Sequence, residues 1–334
     1  MNEYIEIKNL EKTFYGRGLI NRKKNAVTAV DCVSFGIEKN HVFGLVGESG
    51  CGKTSLVRAL LYLDPPTGGE VWMDGTLLGN LSKKEMRDFR RRMQIVFQDP
   101  NSALNPKMTI EDSLEEGLIN RRLAVSDRKK RIVRMLERVG ISPSHRRRYP
   151  HEFSGGQKQR IVIARALAME PDFLVLDEPV SNLDVSIQAQ IINLLQDIKA
   201  EFDLTYFFIS HDLNLVAYLS DQIAVMYKGR IVEIGSTDEI MKNPLHPYTL
   251  RLFSSIPGIE SHAATDAIDA LDASVESPGA AGKKKTIPLK GCHYIETCPL
   301  KNHVCQSQAP PLTTVEGSHA VACFKIGSPP EGDR

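Results

Sequence analysis

Residues 47–54 read Gly-Glu-Ser-Gly-Cys-Gly-Lys-Thr, and this run constrains the fold more than any other feature of the 334-residue chain. It matches G-x-x-x-x-G-K-[ST], a turn whose glycines let the backbone wrap closely around a phosphate with its N–H groups pointing inward. Such a turn needs a buried strand before it and a helix after it, because the helix adds the positive end of its dipole. The flanks meet that demand: His41–Val46 (HVFGLV) is a short apolar run, and Ser55 to Leu63 is helical in pattern. Gly47, Ser49, Gly50, Cys51, Gly52, Lys53, Thr54 and Ser55 are the candidate nucleotide-contacting residues. Lys53 is placed to reach the β- and γ-phosphates, and the Thr54 hydroxyl to bind Mg²⁺. Cys51 fills a variable slot, and no role is expected of its thiol.

The surrounding chain alternates strands and helices. Met93–Phe97, Phe173–Leu176, Thr205–Ile209 and Ile223–Tyr227 are apolar runs of the kind that fill a parallel sheet covered on both faces. Ile5–Ile7 and Val33–Ile37 alternate with period two, as half-buried or edge strands do. Ile187, Ile191, Leu194, Leu195 and Ile198 share one helical face; so do Ile132, Met135, Leu136 and Val139, between Ser126 as N-cap and Gly140 as stop. The alternation argues an α/β fold with a P-loop nucleotide-binding core, interrupted by a helical subdomain at about 101–168. The segment 16–25 (GRGLINRKKN) reads as a long basic surface hairpin.

Composition shifts after Gly258. An Ala/Asp/Ser/Gly-rich stretch followed by Lys283–Lys285 reads as a linker, 259–288, with a short helix at 264–271 as the lesser alternative. A cysteine-bearing module, 289–334, ends the chain. Forty-two Lys+Arg nearly cancel 41 Asp+Glu, which gives no support to a nucleic-acid surface. No apolar run is long enough to span a bilayer, and MNEYIEIKNL lacks the pattern of a secretory signal.

Phe173–Asp177 and Glu178 form a buried strand ending in two acids. Given the phosphate loop upstream, Asp177 is placed as the Mg²⁺-associated acid, and Glu178 as the group that polarises an attacking water. Phe153-Ser154-Gly155-Gly156-Gln157 opens a second helix with a hydroxyl and unobstructed N–H groups. In isolation this is an ordinary N-cap with glycines for tight packing. In a chain that already has one phosphate loop, it suits the nucleotide of another subunit.

Together these residues resemble the ATP-binding subunits of ABC transporters. FSGGQ is similar to that family's LSGGQ signature, with Phe153 in the leucine position. Gln98 sits where the family has its Q-loop glutamine, Ser181–Asp184 where it has the D-loop, and His211 where it has the switch histidine. Phe14 matches the aromatic that stacks on adenine, although Tyr15 can serve equally. The pattern covers about 1–258. VGESGCGKT, FQDPNSALNPKMTI, LDVSIQAQI and NPLHPYT (Asn243–Thr249) resemble the oligopeptide/dipeptide and related nickel or glutathione importers, and the 16–25 segment looks like their second ATPase subunit.

The resemblance implies a heterodimer with a sister ATPase. It would sit beneath two transmembrane permease subunits at the cytoplasmic face of the membrane, fed by an extracytoplasmic substrate-binding protein. Two ATPs would lie between the subunits, each held by Lys53 and its loop on one chain and by a signature such as Ser154-Gly155-Gly156-Gln157 on the other. Glu178, His211 and Gln98 would carry hydrolysis, with Mg²⁺ near Thr54, Gln98 and Asp177, and Asp184 at the subunit boundary. A soluble ABC ATPase acting in translation or DNA maintenance is the alternative, weakened by the single cassette and the lack of heptads.

Cys292, Cys298, Cys305 and Cys323 are spaced x5, x6 and x17. Clustered cysteines in a chain without a secretory signal read as metal ligands before disulfides. The wide spacing suits an iron–sulfur cluster over tetrahedral Zn²⁺, which favours close pairs. The resemblance points to [4Fe–4S], Zn²⁺ remaining the alternative.

Overall fold

The computed structural model describes residues 3–15, 26–254 and 290–326. The basic segment 16–25, the linker 259–288 and the end of the chain from 327 lie outside the described residues. The strands are β1 Ile5–Phe14, β2 Val27–Ile37, β3 Val42–Val46, β4 Gly68–Met73, β5 Thr76–Leu77, β6 Met93–Val96, β7 Phe173–Asp177, β8 Thr205–Ile209, β9 Gln222–Tyr227, β10 Arg230–Ser236, β11 Thr313–Glu316 and β12 His319–Val321. The chain divides into two units. One comprises Met1–Tyr4, Ile37–Val42 and Asp74–Ser210; the other comprises Ile5–Gly36, Phe43–Met73 and His211 onward.

The first unit is built on the parallel strands β6, β7 and β8, in register from Met93 opposite Phe173 to Asp177 opposite Ile209. Every residue of β7 and β8 is buried, as the apolar runs predict for strands covered on both faces. Between β6 and β7 the chain is helical and has no strand: Pro100–Ala103, Ile110–Asn120, Val125–Arg138 and Gly155–Leu167 follow one another. The Val125–Arg138 helix starts earlier than the sequence suggests. Its N-cap is Ala124, not Ser126, because the Ala124 carbonyl already accepts the N–H groups of Asp127 and Arg128. Its end is as expected, with Gly140 at φ +72 and its N–H donating to Glu137 O.

The second unit holds an antiparallel pairing of β1 with β4, Ile5 opposite Met73 and Ile7 opposite Val71. It also holds the parallel pair β3–β9, Phe43 opposite Gln222 and Val46 opposite Val225. β9 returns as β10 through Lys228-Gly229, both at positive φ, the two-residue turn that suits the twist of a hairpin. β12 then pairs antiparallel with β10, Glu233 opposite Val321, and β11 pairs with β12. The cysteine-bearing tail thus contributes strands to a sheet, a role its composition does not announce.

Candidate functional site

The phosphate loop lies in the second unit, between β3 and the Lys53–Leu60 helix, as its motif requires. Two glycines are fixed by what stands behind them: a Cβ on Gly47 would collide with the Met226 carbonyl oxygen, and one on Gly52 with that of Ala29. Gly52 adopts φ +115 as the helix N-cap, a conformation L side chains avoid. Lys53 is buried, and its ammonium donates to Gly47 O at 2.7 Å and Glu48 O at 3.0 Å, so it spans the loop. Thr54, Ser49 and Gly50 are exposed, and Ser55 is half-buried. The Cys51 thiol is buried, and burial pushes its pKa up, so it stays a protonated packing group.

Phe14 and Tyr15 end β1 and follow it, both well exposed; the Lys12 ammonium stands 5.4 Å from the Phe14 ring. Lys12 itself is anchored to Asp64 and to the carbonyl of Pro65. His211 is exposed just before the Leu213–Leu219 helix, whose N-cap Asp212 accepts the N–H groups of Asn214 and Leu215. That cap fixes the turn carrying His211.

The acids lie in the first unit. Asp177 ends β7 and is buried. Glu178 follows at φ +49, and its N–H donates to Ile209 O at 2.9 Å. The reversal turns the Glu178 carboxylate out of the sheet, where Gln98 Nε2 donates to Oε2 at 3.1 Å. The same Gln98 amide donates to Ser181 Oγ at 3.2 Å, and the Ser181 hydroxyl donates to Glu178 O. The glutamine after β6, the acid after β7 and the first D-loop residue thus form one hydrogen-bonded cluster. Asp184 is exposed and caps the Val185–Phe202 helix through its backbone alone.

Ser154 caps the Gly155–Leu167 helix. Its hydroxyl accepts the Gln157 N–H, and the Gln157 side chain accepts the Ser154 N–H, a reciprocal box. Ser154, Gly155 and Gln157 are exposed. Gly156 packs closely: a Cβ there would lie 2.6 Å from Ile187 Cγ2. Phe153 is buried and fixes the approach to the helix.

In the tail, burial raises the Cys292 and Cys323 thiols and pushes Cys298 up to about 11; charge on the other cysteines raises each further. Among the described residues, however, no three His, Cys, Asp or Glu side chains converge as a metal-holding group. The expectation of a preformed metal module at Cys292, Cys298, Cys305 and Cys323 is corrected to that extent. One reason is visible at Cys305, whose thiol and N–H are both turned to Asn302 Oδ1 at 3.0 Å.

What docks the tail is a set of residues that sequence reasoning passed over. His293 lies 2.9 Å from Lys228 O and 3.3 Å from Asp31. His293, then Arg230, holds the Asp31 carboxyl down to about 2, against the effect of burial. His319 lies 2.7 Å from the fully buried Glu233 carboxylate, which also accepts the N–H groups of Leu245 and His246.

Residues 30–181 match the family described as ABC transporter, and residues 232–305 match the oligopeptide/dipeptide transporter C-terminal region. The chain is 42% identical to the oligopeptide transport ATP-binding protein AppF of Bacillus subtilis, over 96% of each chain. It is 50% identical to OppF of the same organism, covering 76% of this chain and 82% of that one. Among solved structures, CbiO1 of Clostridium perfringens, part of an ABC transporter complex, aligns with a TM-score of 0.64 at 25% identity, over 79% of this chain and all of that one. A dimeric ATP-binding cassette in a post-hydrolysis state with ADP and phosphate aligns with a TM-score of 0.62 at 28% identity, over 70% of this chain and 98% of its own.

Proposed function

Because the chain belongs to the family of ABC transporter ATP-binding subunits, in the branch with the oligopeptide/dipeptide C-terminal region, we propose that it is the ATP-hydrolysing subunit of a peptide importer. The observation that carries the hydrolase reading is the Gln98–Glu178 hydrogen bond, which couples a sensor amide to a carboxylate turned out of the β7 strand end. Peptide as cargo is supported by the names of the relatives.

In this reading Lys53, the loop N–H groups and Thr54 bind the ATP phosphates with Mg²⁺, and Asp177 accompanies the ion. Phe14, or Tyr15 beside it, stacks on adenine. Glu178 takes the proton of the attacking water or orients it, and His211 holds the γ-phosphate. Ser154, Gly155, Gly156 and Gln157 serve the nucleotide of a sister ATPase, with Asp184 at that boundary. Two permease subunits at the cytoplasmic face would couple closure to transport, and a substrate-binding protein would deliver the cargo outside. No helix among the described residues is long and apolar enough to cross a membrane.

For the cysteine tail we propose a [4Fe–4S] cluster held by Cys292, Cys298, Cys305 and Cys323. Its support is the sequence: thiols spaced x5, x6 and x17 lack the close pairs that Zn²⁺ favours. A bound cluster would supply a structural cross-link. Iron and inorganic sulfide in equal amounts in anaerobically purified protein are expected; one zinc per chain without sulfide would remove it.

The function is tested by purifying the tagged chain from solubilised membranes and measuring ATP hydrolysis and peptide uptake by the reconstituted complex. Co-purification of permease subunits and peptide-dependent hydrolysis are expected. Ribosomes or DNA in place of permeases would overturn the importer reading, and uptake of nickel chelate or glutathione alone would change the cargo.

A further inference from the structure

The NPLHPYT segment marks the family but takes no part in the chemistry above. Its place in the second unit gives it one. The Glu48 N–H, at the start of the phosphate loop, donates to the Tyr248 hydroxyl oxygen at 3.0 Å. Tyr248 is one of the largest fully buried side chains. Its ring packs at 4.5 Å centroid distance on Tyr227, at the end of β9, and at 5.7 Å on Tyr294 of the cysteine tail. Its backbone is held as firmly. The Tyr248 N–H donates to His246 Nδ1 at 3.0 Å, and the His246 and Leu245 N–H groups donate to the buried Glu233 carboxylate. Pro247 opens the Pro247–Ser254 helix at the position where a missing N–H is harmless.

The loop has a second anchor, the Gly229 N–H donating to Cys51 O at 2.7 Å. The two anchors bracket Ser49 and Gly50, which are exposed. Between fixed ends a glycine-rich turn keeps its N–H groups converged; with one end released, ATP would have to reorder it on binding.

We propose that Tyr248 is a positioning residue for ATP, and that through it the C-terminal segment and the tail residue Tyr294 set the shape of the phosphate loop. The inference rests on the ATP-binding reading above. Tyr248→Phe keeps the ring and removes only the hydroxyl. Loss of one hydrogen bond to a preorganised loop is expected to raise the ATP Kd of the full-length chain by about three- to tenfold. In the assembled complex KM for ATP should rise by the same factor with kcat nearly unchanged, a split that general loosening would not produce. Hydrogen exchange gives a readout that does not depend on turnover: the Glu48 amide should exchange faster while amides of β3 and β9 keep their protection. An unchanged ATP Kd in Tyr248→Phe, or an unchanged Glu48 exchange rate, overturns the inference and leaves the ATPase reading intact. Failure of the wild-type chain to bind ATP would remove both.

Discussion

At the scale of single residues, the roles proposed for Glu178 and Lys53 differ in kind. Glu178 occupies the left-handed region, rare for a non-glycine residue, and its carboxylate accepts a hydrogen bond from Gln98. Lys53 is buried and spends its donors on loop carbonyls. If Glu178 is the base for the water and Lys53 a phosphate ligand, as proposed, their loss should separate. Glu178→Gln keeps the hydrogen-bonding shape and removes the proton acceptor; turnover should fall on the order of 10²- to 10⁴-fold while ATP binding survives. Lys53→Ala should raise the ATP Kd by about 10- to 100-fold, the worth of a hydrogen bond to a charged group. Steady-state hydrolysis and equilibrium ATP titration of both variants check the pair. An active Glu178→Gln enzyme would move the base elsewhere.

At the scale of elements, the strand–loop–helix of the phosphate site was legible because glycine spacing and an apolar run dictate it locally. β7 and β8 were legible for the same reason. β4 and β10 were missed: GGEVWM and RIVEIGS mix glycine and charge, and Glu233 in the middle of β10 looks like a solvent residue. Only the tertiary structure shows that its carboxylate receives Leu245, His246 and His319. That arrangement has a pH signature. Burial holds His246 down to about 4, with the Glu233 charge only partly opposing it, and its Nδ1 must stay unprotonated to accept the Tyr248 N–H. Tyr294 packs on the same ring, and His319 faces the same carboxylate. The folded-state pKa lies below the ordinary value of about 6.5, so between these values the unfolded chain binds more protons and stability rises with pH. The contribution is complete above about pH 6.5 and is lost toward pH 4, at most about 3 kcal/mol. His246→Asn, which retains an acceptor but does not titrate there, should be less stable than wild type at pH 7, and the gap should narrow at pH 4.5. Urea unfolding at the two pH values measures it; a gap independent of pH would show that His246 does not titrate on unfolding.

At the scale of the whole molecule, the sequence carries one phosphate-loop motif and one signature motif, and among the described residues the signature is seen to cap its own helix and to pack through Gly156. Ser154 satisfies the Gln157 N–H, yet it remains exposed with Gly155 beside it, while Gly156 is committed to packing against Ile187. A helix start kept bare and preorganised suits a ligand brought by another subunit. The doubling of phosphate-ready turns in the sequence suggests the same, but each turn alone is ambiguous, and the capping box satisfies the ordinary N-cap reading. The two readings part in one variant. Ser154→Ala removes the cap, costing about 1 kcal/mol of stability. If the cap is all that Ser154 does, hydrolysis by the assembled ATPase pair should be nearly unchanged below the melting transition. If Ser154 also serves the sister's nucleotide, hydrolysis should fall about 10²- to 10³-fold, as when one donor to a transition-state oxygen is lost. In that case the ATP Kd of the isolated variant chain should stay at the wild-type value, because its own Lys53 loop is intact. We expect the second pattern: binding preserved in the single chain, hydrolysis lost in the pair, and the loss restored to neither subunit by raising ATP.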